Sequence, residues 1–142
     1  MKGRQRPFWT ASLLTVIAGC ASSPADVATA PRAKASAVLD PALLVEGAEK
    51  GTIRIVRDRG VFGSARNALI YIDGRHVANV DANRVLELQV PEGVIRLGLQ
   101  MDNVTEPIQY QQVSVKPNVT YDYRVSMTGN GLTTDWRLDR LN

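Results

Sequence analysis

Val119-Thr120-Tyr121-Asp122-Tyr123-Arg124-Val125-Ser126-Met127 and Leu132-Thr133-Thr134-Asp135-Trp136-Arg137-Leu138-Asp139 both alternate apolar and polar side chains. A period of two sends successive side chains to opposite faces of a strand. Between the two runs lies Asn130-Gly131, a pair suited to a two-residue hairpin turn because both central residues need positive φ. That turn would pair Val125 with Trp136 and Tyr123 with Leu138, so the apolar sets share one face. Alternation and turn chemistry agree, and the chain reads as all-β.

The pattern extends backwards. Leu86, Leu88 and Val90 alternate with Val85, Glu87 and Gln89, and after Pro91-Glu92-Gly93 come Ile95, Leu97, Leu99 and Met101. A hairpin here would set Val90 opposite Ile95, Leu88 opposite Leu97 and Leu86 opposite Leu99. One register buries the whole set, and a one-residue slip exposes it. Earlier, Asp73-Gly74 is a second hairpin signal, pairing Ile72 with Arg75 and Ile70 with Val77. Residues 52–57 are β-rich, with Ile53 and Ile55 on one face. Residues 108–115 change parity between Ile108/Tyr110 and Val113/Val115. A bulge near Gln111-Gln112 is the favoured explanation, and outward-facing Ile108 and Tyr110 the other. No helical period follows residue 51. The spacing predicts a small antiparallel β-sandwich or partly open barrel over residues 51–142, large enough to bury ~60% of the unfolded surface.

Ahead of this domain the composition changes. Asp40-Pro41-Ala42-Leu43-Leu44-Val45-Glu46 offers an N-cap and a Pro at the first helical position; a one- or two-turn helix and an extended lead-in both fit. Residues 21–39 are rich in Ala, Ser, Pro and Thr and read as a disordered linker. Residues 20–50 thus form a flexible link with a short helix as an option. Lys2, Arg4 and Arg6 precede an apolar run, residues 8–17, and the small residues Ala18 and Gly19. This is the export pattern, and the run is about half the ~20 residues a spanning helix needs.

Ile17-Ala18-Gly19-Cys20 resembles the lipobox of bacterial lipoproteins. The resemblance implies a signal peptide over residues 1–19, cleavage between Gly19 and Cys20, and diacylglycerol plus an acyl chain such as palmitate on Cys20. With Ala21 after it rather than Asp, the same resemblance implies the outer membrane, facing the periplasm. It also accounts for the single cysteine. The 142 residues hold 17 Lys and Arg against 14 Asp and Glu. All of the excess lies in Lys2, Arg4 and Arg6, so the mature chain has no basic stripe for nucleic acid.

Ile53 to Arg57, Phe62-Gly63-Ser64, Ile70-Tyr71-Ile72-Asp73-Gly74, Val77-Ala78, Leu86, Leu88 and Val90-Pro91-Glu92-Gly93 together resemble the PEGA-type domain and related domains of uncharacterised bacterial lipoproteins. The likeness covers residues 52–101, departs from the pattern at Asn83-Arg84-Val85, and implies a fold without catalytic residues.

Chemistry-bearing groups are sparse. His76 is the sole histidine, too little for a zinc site beside carboxylates, so no metal is expected. Ser64 lacks the Gly-x-Ser-x-Gly setting of a nucleophile elbow. Asn103 and Asn118 match glycosylation acceptors that a periplasmic address makes irrelevant. Tyr121, Tyr123 and Trp136 fit core packing better than a ligand platform. Leu69, Tyr71, Ile108 and Tyr110 lie on parities that can share an open face, and such patches mark interaction sites; coverage by another element is the competing expectation. The reading is a non-enzymatic, membrane-tethered periplasmic lipoprotein without cofactor, whose partners are the membrane and an envelope protein. An accessory subunit of an envelope hydrolase and a glycan-binding module are the alternatives.

Overall fold

The computed structural model describes residues 23–60, 66–102, 105–129 and 134–142. Its strands are β1 (Lys50–Arg57), β2 (Ala68–Ile72), β3 (Arg75–Val80), β4 (Val85–Pro91), β5 (Gly93–Met101), β6 (Gln109–Val115), β7 (Thr120–Gly129) and β8 (Thr134–Arg140). They form two four-stranded sheets, β4-β1-β7-β8 and β3-β2-β5-β6. The sheets pack face to face as an all-β sandwich and do not close into a barrel. Ile53, Ile55, Leu88, Tyr123 and Val125 of the first sheet join Ile70, Val77, Leu97, Leu99 and Val113 of the second in one core.

The alternation placed the apolar faces inward, but several pairings differ from expectation. Val90, Leu88 and Leu86 do not pair with Ile95, Leu97 and Leu99. β4 pairs with β1 and β5 with β2 and β6, so the chain changes sheets at Pro91-Glu92-Gly93. Inward residues of two stacked sheets carry the same parity as those of one hairpin, which is why periodicity could not separate the two. β1 runs parallel to β7, and every other pair is antiparallel; no turn joins these two strands, so no local signal fixed their direction.

Around Asp73 (φ 50°) and Gly74 (φ 83°) the expected turn forms. Ile72 pairs with Arg75 as expected, but Ile70 pairs with Ala78, because an irregularity between Ile70 and Tyr71 absorbs Val77. The last hairpin is shifted by two residues. Val125 meets Leu138 and Met127 meets Trp136, which preserves every face; Asn130-Gly131 lies outside the described residues. β6 carries no bulge: its register with β5 is unbroken from Val115 to Gln109. The outward reading of Tyr110 is therefore the right one. The reason is that Gln109 and Gln111 take the inward positions of this edge strand, their amide groups donating to the Trp136 and Leu138 carbonyls of β8 at 2.7 and 2.9 Å.

The largest correction concerns the expected linker. From Ser23 onward it is laid along the sandwich. Ser23 and Arg59 exchange two backbone hydrogen bonds, 2.9 and 3.0 Å. Ala25 covers Val56 and Val85, with Val27 and Ala30 beside them. The chain then runs down the open side between the two sheets. Val85 N–H donates to Pro31 C=O and Ala33 N–H to Val85 C=O on β4, while Leu39 N–H donates to Val77 C=O on β3. A strand edge left open is a template for unwanted pairing, and this segment occupies parts of two such edges. A 3-10 turn over Pro41–Leu44 follows, capped by the Asp40 carboxylate accepting from Ala42 N–H at 3.1 Å; it buries Leu43. The expected short helix is thus a single 3-10 turn. Small side chains carry too little hydrophobicity to announce packing, yet they fit close against a sheet edge.

The sandwich has two ends. One holds Ser23, Arg59, Asn83, Arg84 and Asp102; the other holds Lys50, the Asp73-Gly74 turn, Glu92 and the 116–119 turn.

Candidate functional site

The outer face of the β3-β2-β5-β6 sheet brings the four expected residues together. Cross-strand pairing sets His76 beside Tyr71, Tyr71 beside Gly98 and Gly98 beside Tyr110 in one row. In the next row Asn79 pairs with Leu69 and Leu69 with Gln100. The N-terminal segment passes along the side of the sandwich instead of over this face, so none of the described elements covers it. Tyr110 is 39% exposed, and Leu69, Tyr71 and Ile108 are half-buried against their neighbours.

Gly98 sets the shape of the row. A Cβ there would lie 2.6 Å from Tyr110 Cε1 and 2.8 Å from Ile108 Cγ2. The absent side chain lets Tyr110 and Ile108 lie down across β5, making a flat apolar floor. A lone glycine on the outward parity of an otherwise well-filled strand marks a close approach, and the β5–β6 register identifies the approaching side chain as Tyr110. Polar groups fix the surroundings. The Arg96 guanidinium stands over the Tyr110 ring, 4.9 Å from its centroid, a cation–π arrangement. The Tyr71 hydroxyl donates to Gln100 Oε1 at 3.2 Å, and Gln100 Nε2 donates to the Glu106 carbonyl at 2.8 Å. His76 stacks at a tilt on Tyr71, ring centroids 5.3 Å apart. Its Nε2 lies 2.9 Å from Asn79 Oδ1 and 3.2 Å from the Ala78 carbonyl; both accept, so Nε2 carries the proton. His76 is thereby occupied as a structural donor.

Tyr121, Tyr123 and Trp136 are buried in the core, with Lys116 N–H donating to the Tyr121 hydroxyl at 2.9 Å. Burial pushes the Tyr123 phenol above its usual range. Arg57, read only as the last residue of a strand, is one of the most deeply buried side chains. Its Nη1 donates to the Arg66 and Val80 carbonyls at 2.6 and 2.9 Å, and its guanidinium lies 5.2 Å from the Trp136 ring centroid. Desolvation lowers its pKa, while Asp81 and Asp102 act in the opposite direction. It ties two loops at the Ser23 end to the core.

At the Lys50 end a cleft of about 340 Å³ opens between the sheets, floored by Leu43, Ile72, Val90 and Ile95. Its rim carries the Asp40–Arg75 ion pair at 2.6 Å and Lys50, whose Nζ donates to the Ala42 and Val45 carbonyls. Among the described residues no cluster of His, Cys, Asp or Glu is arranged to hold a metal ion, and no helix is long and apolar enough to cross a membrane. Gly19, Cys20, Ser64 and Asn103 lie outside the described residues. Asn118 adopts a left-handed conformation, φ 57°, a turn role that Asn tolerates better than most residues.

Comparison with known protein families, with curated proteins and with solved structures finds no match to this chain. None of the three lends support to the PEGA-type resemblance.

Proposed function

We propose that the chain is a lipoprotein of the bacterial cell envelope, anchored in the outer membrane through lipids on Cys20, facing the periplasm, and acting as a binding module rather than a catalyst. The observation that carries the binding reading is the row His76, Tyr71, Gly98 and Tyr110. It combines flat rings, a glycine floor and a cation held over one ring on an uncovered sheet face. Aromatic side chains with one polar edge supply large contact area at low entropic cost, which is why they concentrate in binding surfaces. The one imidazole of the row has its Nε2 engaged by Asn79 and Ala78. The occupant in this reading is an envelope protein.

A glycan is the second reading, favoured by the same row. Planar rings stack on the apolar faces of sugars, and Arg96 and Gln112 sit opposite each other on the strands beside them, offering donors to hydroxyls. One experiment separates the two. A photo-crosslinking residue replaces Tyr110 in living cells, with the same residue at exposed Arg137 on the other sheet as the control. An adduct specific to position 110 supports binding at this face. A protease-sensitive adduct assigns the partner to protein, and a muramidase-sensitive one to the glycan wall. Equal labelling at both positions refutes the site.

A further inference from the structure

We infer that the sandwich sits directly on the bilayer in a fixed orientation, with its Ser23 end against the lipid head groups and its Lys50 end pointing away. This rests on the reading of Cys20 as the lipid anchor and adds the surface that meets the membrane.

Chain length carries the argument. A free linker over residues 21–39 would average ~25 Å and would let the domain tumble. The chain is instead fixed from Ser23 by its paired hydrogen bonds to Arg59, and by Ala25 N–H donating to buried Asp58 Oδ1 at 2.9 Å. Arg124 adds a hydrogen bond to the Ala25 carbonyl at 3.1 Å. Only three peptide steps separate Cys20 from Ser23, and three steps span at most about 11 Å. The head-group layer of one leaflet takes up roughly 6 Å of that. Ser23 and Arg59 are therefore held within about 5 Å of the head-group surface. β7, with ten residues from Thr120 to Gly129, spans ~30 Å at ~3.3 Å per residue. With the long axis upright, the opposite end, with its cleft, stands roughly 30 Å further out.

Charge does not set this orientation. Arg59, Arg66 and Arg84 are exposed at the Ser23 end, but Asp81, Asp102, Glu106 and Asp135 share it. The short leash holds the Ser23 end at the membrane, so the arrangement persists when salt screens surface charges. Two consequences follow. The aromatic row lies on a side wall, open to partners moving along the membrane plane. The cleft lined by Leu43, Ile72 and Ile95 faces the periplasm and meets partners arriving from there.

Full-length lipidated protein in vesicles of phosphatidylethanolamine and phosphatidylglycerol tests this. With Cys20 blocked by lipid, a new cysteine is the only free thiol. Arg84→Cys and Glu92→Cys, both at exposed positions at opposite ends, are labelled with a fluorophore and quenched by nitroxide on the lipid head group. The expected result is quenching several-fold stronger at position 84 than at 92, equal at low and high salt. A Gly/Ser spacer of about twelve residues after Cys20, averaging ~19 Å, should abolish the difference. Equal quenching at both positions in protein that floats with the vesicles overturns the orientation alone. Protein that fails to float and carries no lipid overturns the anchor and the orientation with it.

Discussion

Leu43 and Leu44 are adjacent in the sequence and opposite in environment. Leu43 is 7% exposed and belongs to the core, whereas Leu44 is 42% exposed. Replacing each by Ala asks whether the segment before β1 belongs to the fold. A buried Leu→Ala change costs roughly 2–5 kcal/mol, increasing with the cavity left behind. Leu43 borders the cleft at the Lys50 end, so water can refill part of the space and the lower half of that range applies, about 2–3 kcal/mol. At ~4 °C per kcal/mol for a chain of this size, Leu43→Ala should lower the melting temperature by roughly 8–12 °C. Leu44→Ala, a surface change, should stay within ~0.5 kcal/mol and move it by about 2 °C or less. The assay is thermal denaturation of the unlipidated chain beginning at Ala21, followed by circular dichroism, with urea unfolding as a check. Equal shifts of a degree or so for both variants would refute the packed segment and restore a flexible linker.

Other substitutions probe the platform and the core. Gly98→Val must displace Tyr110 and Ile108; we expect a loss of about 1–3 kcal/mol in urea unfolding and disappearance of the crosslink from position 110. Arg57→Leu leaves the Arg66 and Val80 carbonyls without this donor and should destabilise by about 2–6 kcal/mol, at ~1–3 kcal/mol per orphaned carbonyl; a neutral result would mean water reaches both carbonyls. Burial raises the Tyr123 pKa, so the folded state disfavours the phenolate. Stability from this source is complete below the unfolded value of ~10 and is lost as pH climbs through the folded value. The melting temperature should therefore fall above about pH 10, and Tyr123→Phe should reduce that fall.

The sequence made the strands and their buried faces legible because alternation and turn chemistry act locally. Leu86, Leu88 and Val90, like Ile95, Leu97 and Leu99, were assigned inward and are buried. Which strand met which was not legible. β4 and β5 look like a hairpin by periodicity, and only the tertiary fold shows them in separate sheets. The packed N-terminal segment left a trace that composition masked. Val56 and Val85 stand on the opposite parity from Ile55 and Leu86, so something had to cover them, and Ala25 does. The candidate face was half legible. Leu69 and Tyr71 followed from parity alone, whereas Ile108 and Tyr110 did so only on the reading without a bulge, which was not the favoured one. His76, Arg96 and Gly98 joined them only through the register of four strands, which no local pattern records.

The envelope reading rests on the proposed lipid on Cys20, and intact-mass analysis of protein extracted from membranes tests it most directly. We predict a mature chain beginning at Cys20 whose N-terminal peptide is heavier by a diacylglyceryl group and an amide-linked acyl chain, with neither present in Cys20→Ser. A membrane-extracted chain that begins at Met1 with an unmodified Cys20 thiol would contradict the anchor and the membrane-bound orientation built on it.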